Sequence, residues 1–125
     1  MSNNKKVLVI EDDEIISSMY KTKLEQDGYT VLTADNGGDG LEMAKNNKVD
    51  IILLDIIMPQ LDGFTVLDEL KSHTGTKKTP VIMLTNLSTE EDRKKGEEKG
   101  AAGYWVKAQL TPSQVSQQIN EFLKK

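Results

Sequence analysis

The stretch IILLDIIMPQLDG, residues 51–63, sets one carboxylate, Asp55, between four apolar residues and three more. An aliphatic run of this length fits a buried strand, and its lack of polar alternation means that both faces are covered. A charge at the end of such a strand is tolerated when it is paired, metal-bound or open to water. Which of these applies to Asp55 depends on what the rest of the chain brings to the same end.

Similar runs recur at VLVI (7–10), YTVLTA (29–34), VIML (81–84) and AAGYWV (101–106). Each run, like IILL (51–54), is followed by a longer and mainly amphipathic stretch, which predicts five βα units. The first helix is expected over Glu14–Gln26, with Ile15, Ile16, Met19 and Leu24 at helical spacing and a stop at Asp27-Gly28. Asp62-Gly63 opens a helix carrying Phe64, Val66, Leu67 and Leu70. Thr111-Pro112 opens the last, with Val115, Ile119, Phe122 and Leu123 on one face. The fourth, Thr89–Lys99, is almost entirely charged and is expected to be the most exposed and most mobile.

Strand polarity gives the order. VLVI, IILL and VIML are apolar on both faces, as central strands must be, whereas YTVLTA alternates and AAGYWV is mixed, as at edges. Right-handed crossovers then produce an α/β, doubly wound, five-stranded parallel sheet of order 2-1-3-4-5, the flavodoxin-like arrangement. In such sheets ligands bind beyond the carboxyl ends of the strands, at the switch point between strands 1 and 3.

At those ends strand 1 runs into Glu11-Asp12-Asp13, strand 3 into Asp55, strand 4 into Thr85 and strand 5 into Lys107. Carboxylates on adjacent strands repel by about 4 kcal/mol at ~4 Å near a protein surface, so the cluster calls for a cation. Hard oxygen ligands without His or Cys favour Mg²⁺, with Mn²⁺ the alternative. A carboxylate, a divalent cation, a hydroxyl and a lysine make a phosphoryl-transfer site. Asp55 is the expected nucleophile, Lys107 and the metal neutralise phosphoryl oxygens, and Thr85 donates a hydrogen bond. An acyl phosphate adds nearly two negative charges, which draws Thr85 and its loop inward. Asp13 reads equally as a ligand or as the N-cap of helix 1, and Asp62 as an N-cap. His73, within HTGTKKT, reads as a solvated loop residue. DNGGDG (35–40) resembles a calcium-loop start but has Gly37 at the third position and Asn46 at the twelfth.

Composition narrows the partners. The chain has 125 residues, read as a single domain over 1–125 without an output domain, so the effector is expected to be another molecule. Net charge is −4, and no basic run exceeds Arg93-Lys94-Lys95, which argues against direct nucleic-acid or membrane-surface binding. MSNNKK precedes only four apolar residues, so neither a signal peptide nor a membrane helix is expected, and cysteine is absent. A cytoplasmic setting fits.

Four separated segments, VLVIEDDE, IILLDIIMPQLDG, VIMLTN and GAAGYWVKA, together resemble a response-regulator receiver domain of the stand-alone, chemotaxis-regulator-like kind. The resemblance covers the whole chain. It implies that Glu11, Asp12, Asp55 and the backbone carbonyl of Ile57 bind Mg²⁺, and that Thr85 and Lys107 contact the phosphoryl group. It also implies that Asp55 accepts phosphate from a histidine kinase or phosphotransfer protein. Tyr104 falls on the family's switch aromatic. Signalling to a downstream protein, and homodimerisation where it occurs, would use the face of helix 4, strand 5 and helix 5.

Two departures carry expectations of their own. Ala108 stands where the family usually has a cis proline; a non-proline cis bond costs about 3 kcal/mol, so the 107–108 peptide is expected trans. Ile57 and Leu87 are apolar where polar side chains orient a hydrolytic water, so slow self-hydrolysis is expected. The leading alternative is a Mg²⁺-dependent, aspartyl-phosphate phosphatase or phosphomutase. Its D-x-D pattern after strand 1 is replaced here by Asp12-Asp13-Glu14. A flavin-binding module lacks its Ser/Thr-rich phosphate loop, and the acids after strand 1 would repel the cofactor phosphate.

Overall fold

A computed structural model describes residues 5–124, so the reading of the N-terminal segment MSNNKK lies mostly outside the described residues. The elements are β1 (Lys6–Ile10), α1 (Glu14–Gln26), β2 (Thr30–Ala34), α2 (Gly37–Asn46), β3 (Ile51–Leu54) and α3 (Gly63–Ser72). They continue with β4 (Val81–Thr85), α4 (Glu90–Glu98), β5 (Gly103–Val106), a 3₁₀ turn (Lys107–Gln109) and α5 (Pro112–Lys124). The strands form one parallel sheet of order β2-β1-β3-β4-β5. The two edge strands are shorter than their apolar runs suggested: β2 starts at Thr30 and β5 at Gly103.

Alternate residues of the central strands feed two cores, as the pleat requires. Leu8, Ile10, Ile52, Leu54 and Met83 pack with Phe64, Val66, Leu67 and Leu70 of α3 and Ala44 of α2. Val7, Val9, Ile51, Leu53, Ile82 and Leu84 pack on the opposite face with Tyr20 and Leu24 of α1 and Val115 and Ile119 of α5. The sheet is therefore covered on both faces. Among the described residues no helix is long and apolar enough to cross a membrane.

Local chemistry accounts for the helix ends. Asp13 caps α1 by accepting the Ile15 and Ile16 N–H groups, Asp62 caps α3 through Thr65 N–H, and Thr89 caps α4 through Asp92 N–H. Gly28, at φ 96°, follows the α1 stop, a conformation that favours glycine.

The inward face of α1 differs from the expected one. Ile15 is 77% exposed and Met19 46% exposed, while Tyr20 and Leu24 are buried, with Ile16 packed against them. Residues 16, 20 and 24 form a continuous i, i+4 stripe, and the sheet and α5 select that stripe over the neighbouring one through Ile15 and Met19. α4 is held differently again: Gly96 is its only buried residue, Asp92 and Arg93 are half-buried, and the other residues of the helix are exposed, as its charge predicts.

Candidate phosphoryl-transfer site

The register sets the rim. Ile10 pairs with Leu54, so Glu11 and Asp55 leave adjacent strands level with one another, and Asp55 N–H donates to the Ile10 carbonyl. Both carboxylates are buried, Glu11 4% and Asp55 6% exposed, while Asp12 is exposed. Ligand atoms from Glu11, Asp12 and Asp55 lie within 4.8 Å of one another. Leu54 pairs with Met83 and Thr85 with Val106, which places fully buried Thr85 and then Lys107 at the same edge.

The Lys107 side chain reaches across the end of β4 to the acidic rim. Its ammonium donates to Asp55 Oδ2 at 2.8 Å and to Glu11 Oε1, lying between the two buried carboxylates. Burial is the largest influence on Glu11 and, with the Asp55 charge, raises its carboxyl above the ordinary value against the pull of Lys107. Burial also pulls the Lys107 ammonium down, but the hydrogen bonds and charges of Asp55 and Glu11 outweigh it and raise its pKa. Lys107 therefore remains a cation. Its position between two carboxylates is that of a cation in an oxygen-lined cleft, and the donor set of three hard carboxylates fits a Mg²⁺-type ion.

Asp55 is also fixed from the other side. Ile56 N–H donates to Asp55 Oδ1 at 2.7 Å, with a longer contact from Ile57 N–H at 3.4 Å. Ile57 itself is 59% exposed beside the carboxylate. Tyr104 Oη donates to the Leu87 carbonyl in the loop after Thr85, and the Arg93 guanidinium sits 5.3 Å from the Tyr104 ring centroid. A Cβ on Gly96 would lie 3.3 Å from Tyr104 Cδ2, so the glycine lets α4 approach this ring. Tyr104 and Trp105 pack on opposite faces of β5, as strand alternation predicts. Asp13 and Asp62 serve as helix caps, and His73 is the C-cap of α3.

Two contributors escaped the sequence reading. The sequence marks Gly63 only as the start of α3, yet a Cβ there would meet the Asp55 carbonyl oxygen at 2.1 Å and Ile56 Cα at 2.7 Å. The helix can close on the Asp55 peptide only without a side chain at that position. Gly63→Ala is expected to lower stability by about 1–3 kcal/mol through this overpacking, read as an earlier urea midpoint at unchanged slope. The second is Asn86, whose Oδ1 accepts the Ala108 N–H at 2.9 Å. Its only signal was the absence of proline at 108, which leaves an N–H free to donate. The chain contains no cis peptide among the described residues, so the 107–108 bond is trans as expected.

The family model described as "Response regulator receiver domain" matches residues 7–120. The chain is 36% identical over 122 residues to the alkaline phosphatase synthesis transcriptional regulatory protein PhoP of Bacillus subtilis, covering 98% of this chain and 50% of that protein. It is 38% identical over 104 residues to protein PilH of Pseudomonas aeruginosa, covering 82% of this chain and 84% of that one. The chain thus spans half the length of the first relative and most of the second. Among solved structures, the Vibrio cholerae chemotaxis protein CheY4 superposes with a TM-score of 0.88 at 30% identity, over 94% of this chain and 98% of that one. With sheet order, acidic rim and matched residues in agreement, the chain belongs to the response-regulator receiver domains of two-component signalling, switches that bind Mg²⁺ in an acidic site and are not classical enzymes.

Proposed function

We propose that Asp55 is the phosphoacceptor of this receiver domain and that the charge it gains is the signal. The observation that carries the reading is the Lys107 ammonium held between two buried carboxylates, a cation already aimed at the acceptor. Asp55 Oδ1 is occupied by the Ile56 N–H, which leaves Oδ2, beside Lys107, to form the new O–P bond. The P–N bond of a phosphohistidine breaks in the same step, and the imidazole leaves with the electron pair and takes up a proton. Glu11, Asp12, Asp55 and the Ile57 carbonyl would hold Mg²⁺, or Mn²⁺, and the bound ion supplies positive charge toward the phosphoryl oxygens. Lys107 neutralises a further oxygen. Thr85, at the adjacent strand end, donates its hydroxyl once the loop moves inward, which draws Leu87 with it and alters what the Tyr104 hydroxyl holds.

The donor in this reading is a histidine kinase or phosphotransfer protein. Exposed Ile15 and Met19, on the helix that follows the acidic loop, and Ile57 beside Asp55 give it apolar surface at the site's flank. Output passes through α4, β5 and α5 to a downstream protein or a second copy of the chain, with no direct nucleic-acid or membrane contact. The cytoplasm is the compartment this donor chemistry calls for. The phosphatase reading is disfavoured because Glu14, where its second acid belongs, is an exposed residue in the first turn of α1.

The primary test is acyl-phosphate formation at Asp55, read by intact mass. A second outcome follows from Ile57 and Leu87, which offer no polar group to orient a water on phosphorus. The phosphorylated chain is expected to lose its phosphate over minutes or longer, and Ile57→Asn to shorten that lifetime. A parent half-life of seconds, followed by phosphate release after donor removal, would refute the slow-hydrolysis reading.

A further inference from the structure

The loop Thr85-Asn86-Leu87 is tied to the β5 segment at two points. Tyr104 Oη donates to the Leu87 carbonyl, and Asn86 Oδ1 accepts the Ala108 N–H at 2.9 Å. The second tie links two rim segments 22 residues apart, and its donor is the peptide group that immediately follows Lys107. That peptide lies within the 3₁₀ turn Lys107–Gln109, where the chain leaves β5 and no longer has a sheet ladder to hold it. The residue that opens the turn, Val106, makes no side-chain capping hydrogen bond. Yet Lys107 must hold an extended side chain across β4 to reach Asp55 on β3, so a small rotation of the 107–108 peptide is magnified at Nζ.

We propose that Asn86 is a positioning residue for phosphoryl transfer: through the Ala108 N–H it fixes the 107–108 peptide and so aims Lys107 at Asp55. The same bond makes the loop that follows Thr85 and the turn that carries Lys107 move together. Only a residue other than proline at 108 can supply the donor, and only a side chain with an acceptor oxygen at 86 can receive it. The bond is exposed and neutral, so its effect on chemistry is modest and graded.

The inference rests on the roles given above to Asp55 and Lys107, and three measurements separate it from them. In the parent protein without donor, amide exchange and the NMR proton shift report Ala108 directly. Asn86→Ala is expected to move the Ala108 proton upfield and speed its exchange, while the melting temperature of the exposed-site variant stays within error of the parent. With Mg²⁺ and phosphoramidate, Asn86→Ala is expected to lower the maximal rate of Asp55 phosphorylation about five-fold, with the half-saturating donor concentration unchanged. In an Ala108→Pro background, which lacks the donor, Asn86→Ala is expected to change that rate less than about two-fold. An Ala108 amide indifferent to Asn86→Ala overturns the proposal whatever the phosphorylation result, as does an equal rate loss in both backgrounds. A parent that takes up no phosphoryl group overturns the Asp55 assignment, and this role with it.

Discussion

Incubated with Mg²⁺ and phosphoramidate, the parent chain is expected to gain a phosphoryl group, read by intact mass, while Asp55→Ala and Asp55→Asn are expected to gain none. The two variants fail for the same chemical reason and control for different structural ones. Alanine removes the acceptor that holds the Ile56 N–H, whereas asparagine keeps an oxygen for it but is not a nucleophile at neutral pH. Folding is expected to survive both substitutions. Glu11 remains to pair Lys107, and removing one of two neighbouring buried carboxylates relieves the repulsion that helps raise the Glu11 pKa. Chelating Mg²⁺ is expected to abolish the parent adduct without unfolding the chain, because the two cores contain no metal ligand. No adduct on the parent, or an equal adduct on the Asp55 variants, would remove Asp55 as acceptor.

The part of this site that lies in strands and caps was readable from residues alone. IILL, with no polar position, is central, which places Asp55 on the rim beside Glu11. Asp62 is legible as a cap because capping is local chemistry, settled within three residues. Asp13 suits a ligand or a cap by residue type alone, and its oxygen on the Ile15 and Ile16 N–H groups makes it the cap. Three features depended on contacts distant in sequence. The rotation of α1 was ambiguous because Ile15 and Met19 form as good an apolar pair as Ile16, Tyr20 and Leu24; only the packing of sheet and α5 chooses between them. Gly63 looked like an ordinary helix start, since its crowding comes from the Asp55 peptide across the loop. The Asn86–Ala108 bond joins two loops, and no periodicity within either one announces it.

Lys107→Ala is expected to slow phosphorylation by about 10²–10³-fold, the usual loss when a preorganised charge aimed at the reacting group is removed. The same substitution is expected to tighten Mg²⁺ binding in the absence of donor, by about ten-fold, or 1.4 kcal/mol. The opposite directions follow from one geometry. In the resting site the Lys107 ammonium lies on Asp55 and Glu11, two of the three carboxylates that a divalent ion would use, so lysine and metal compete for the same oxygens. Removing the lysine leaves Glu11 and Asp55 buried without their cation, and a divalent ion then relieves a larger repulsion than in the parent. Lys107→Arg keeps the charge but not the shape, and is expected to restore near-parental metal affinity with little of the rate. Calorimetric titration with Mg²⁺ alone reads the affinity, and intact mass over time reads the rate. Weaker Mg²⁺ binding in Lys107→Ala would mean that the lysine orders the carboxylates for the metal rather than competing with it. A rate loss without any change in affinity would confine Lys107 to the phosphoryl group and take it out of the resting charge balance of the cleft.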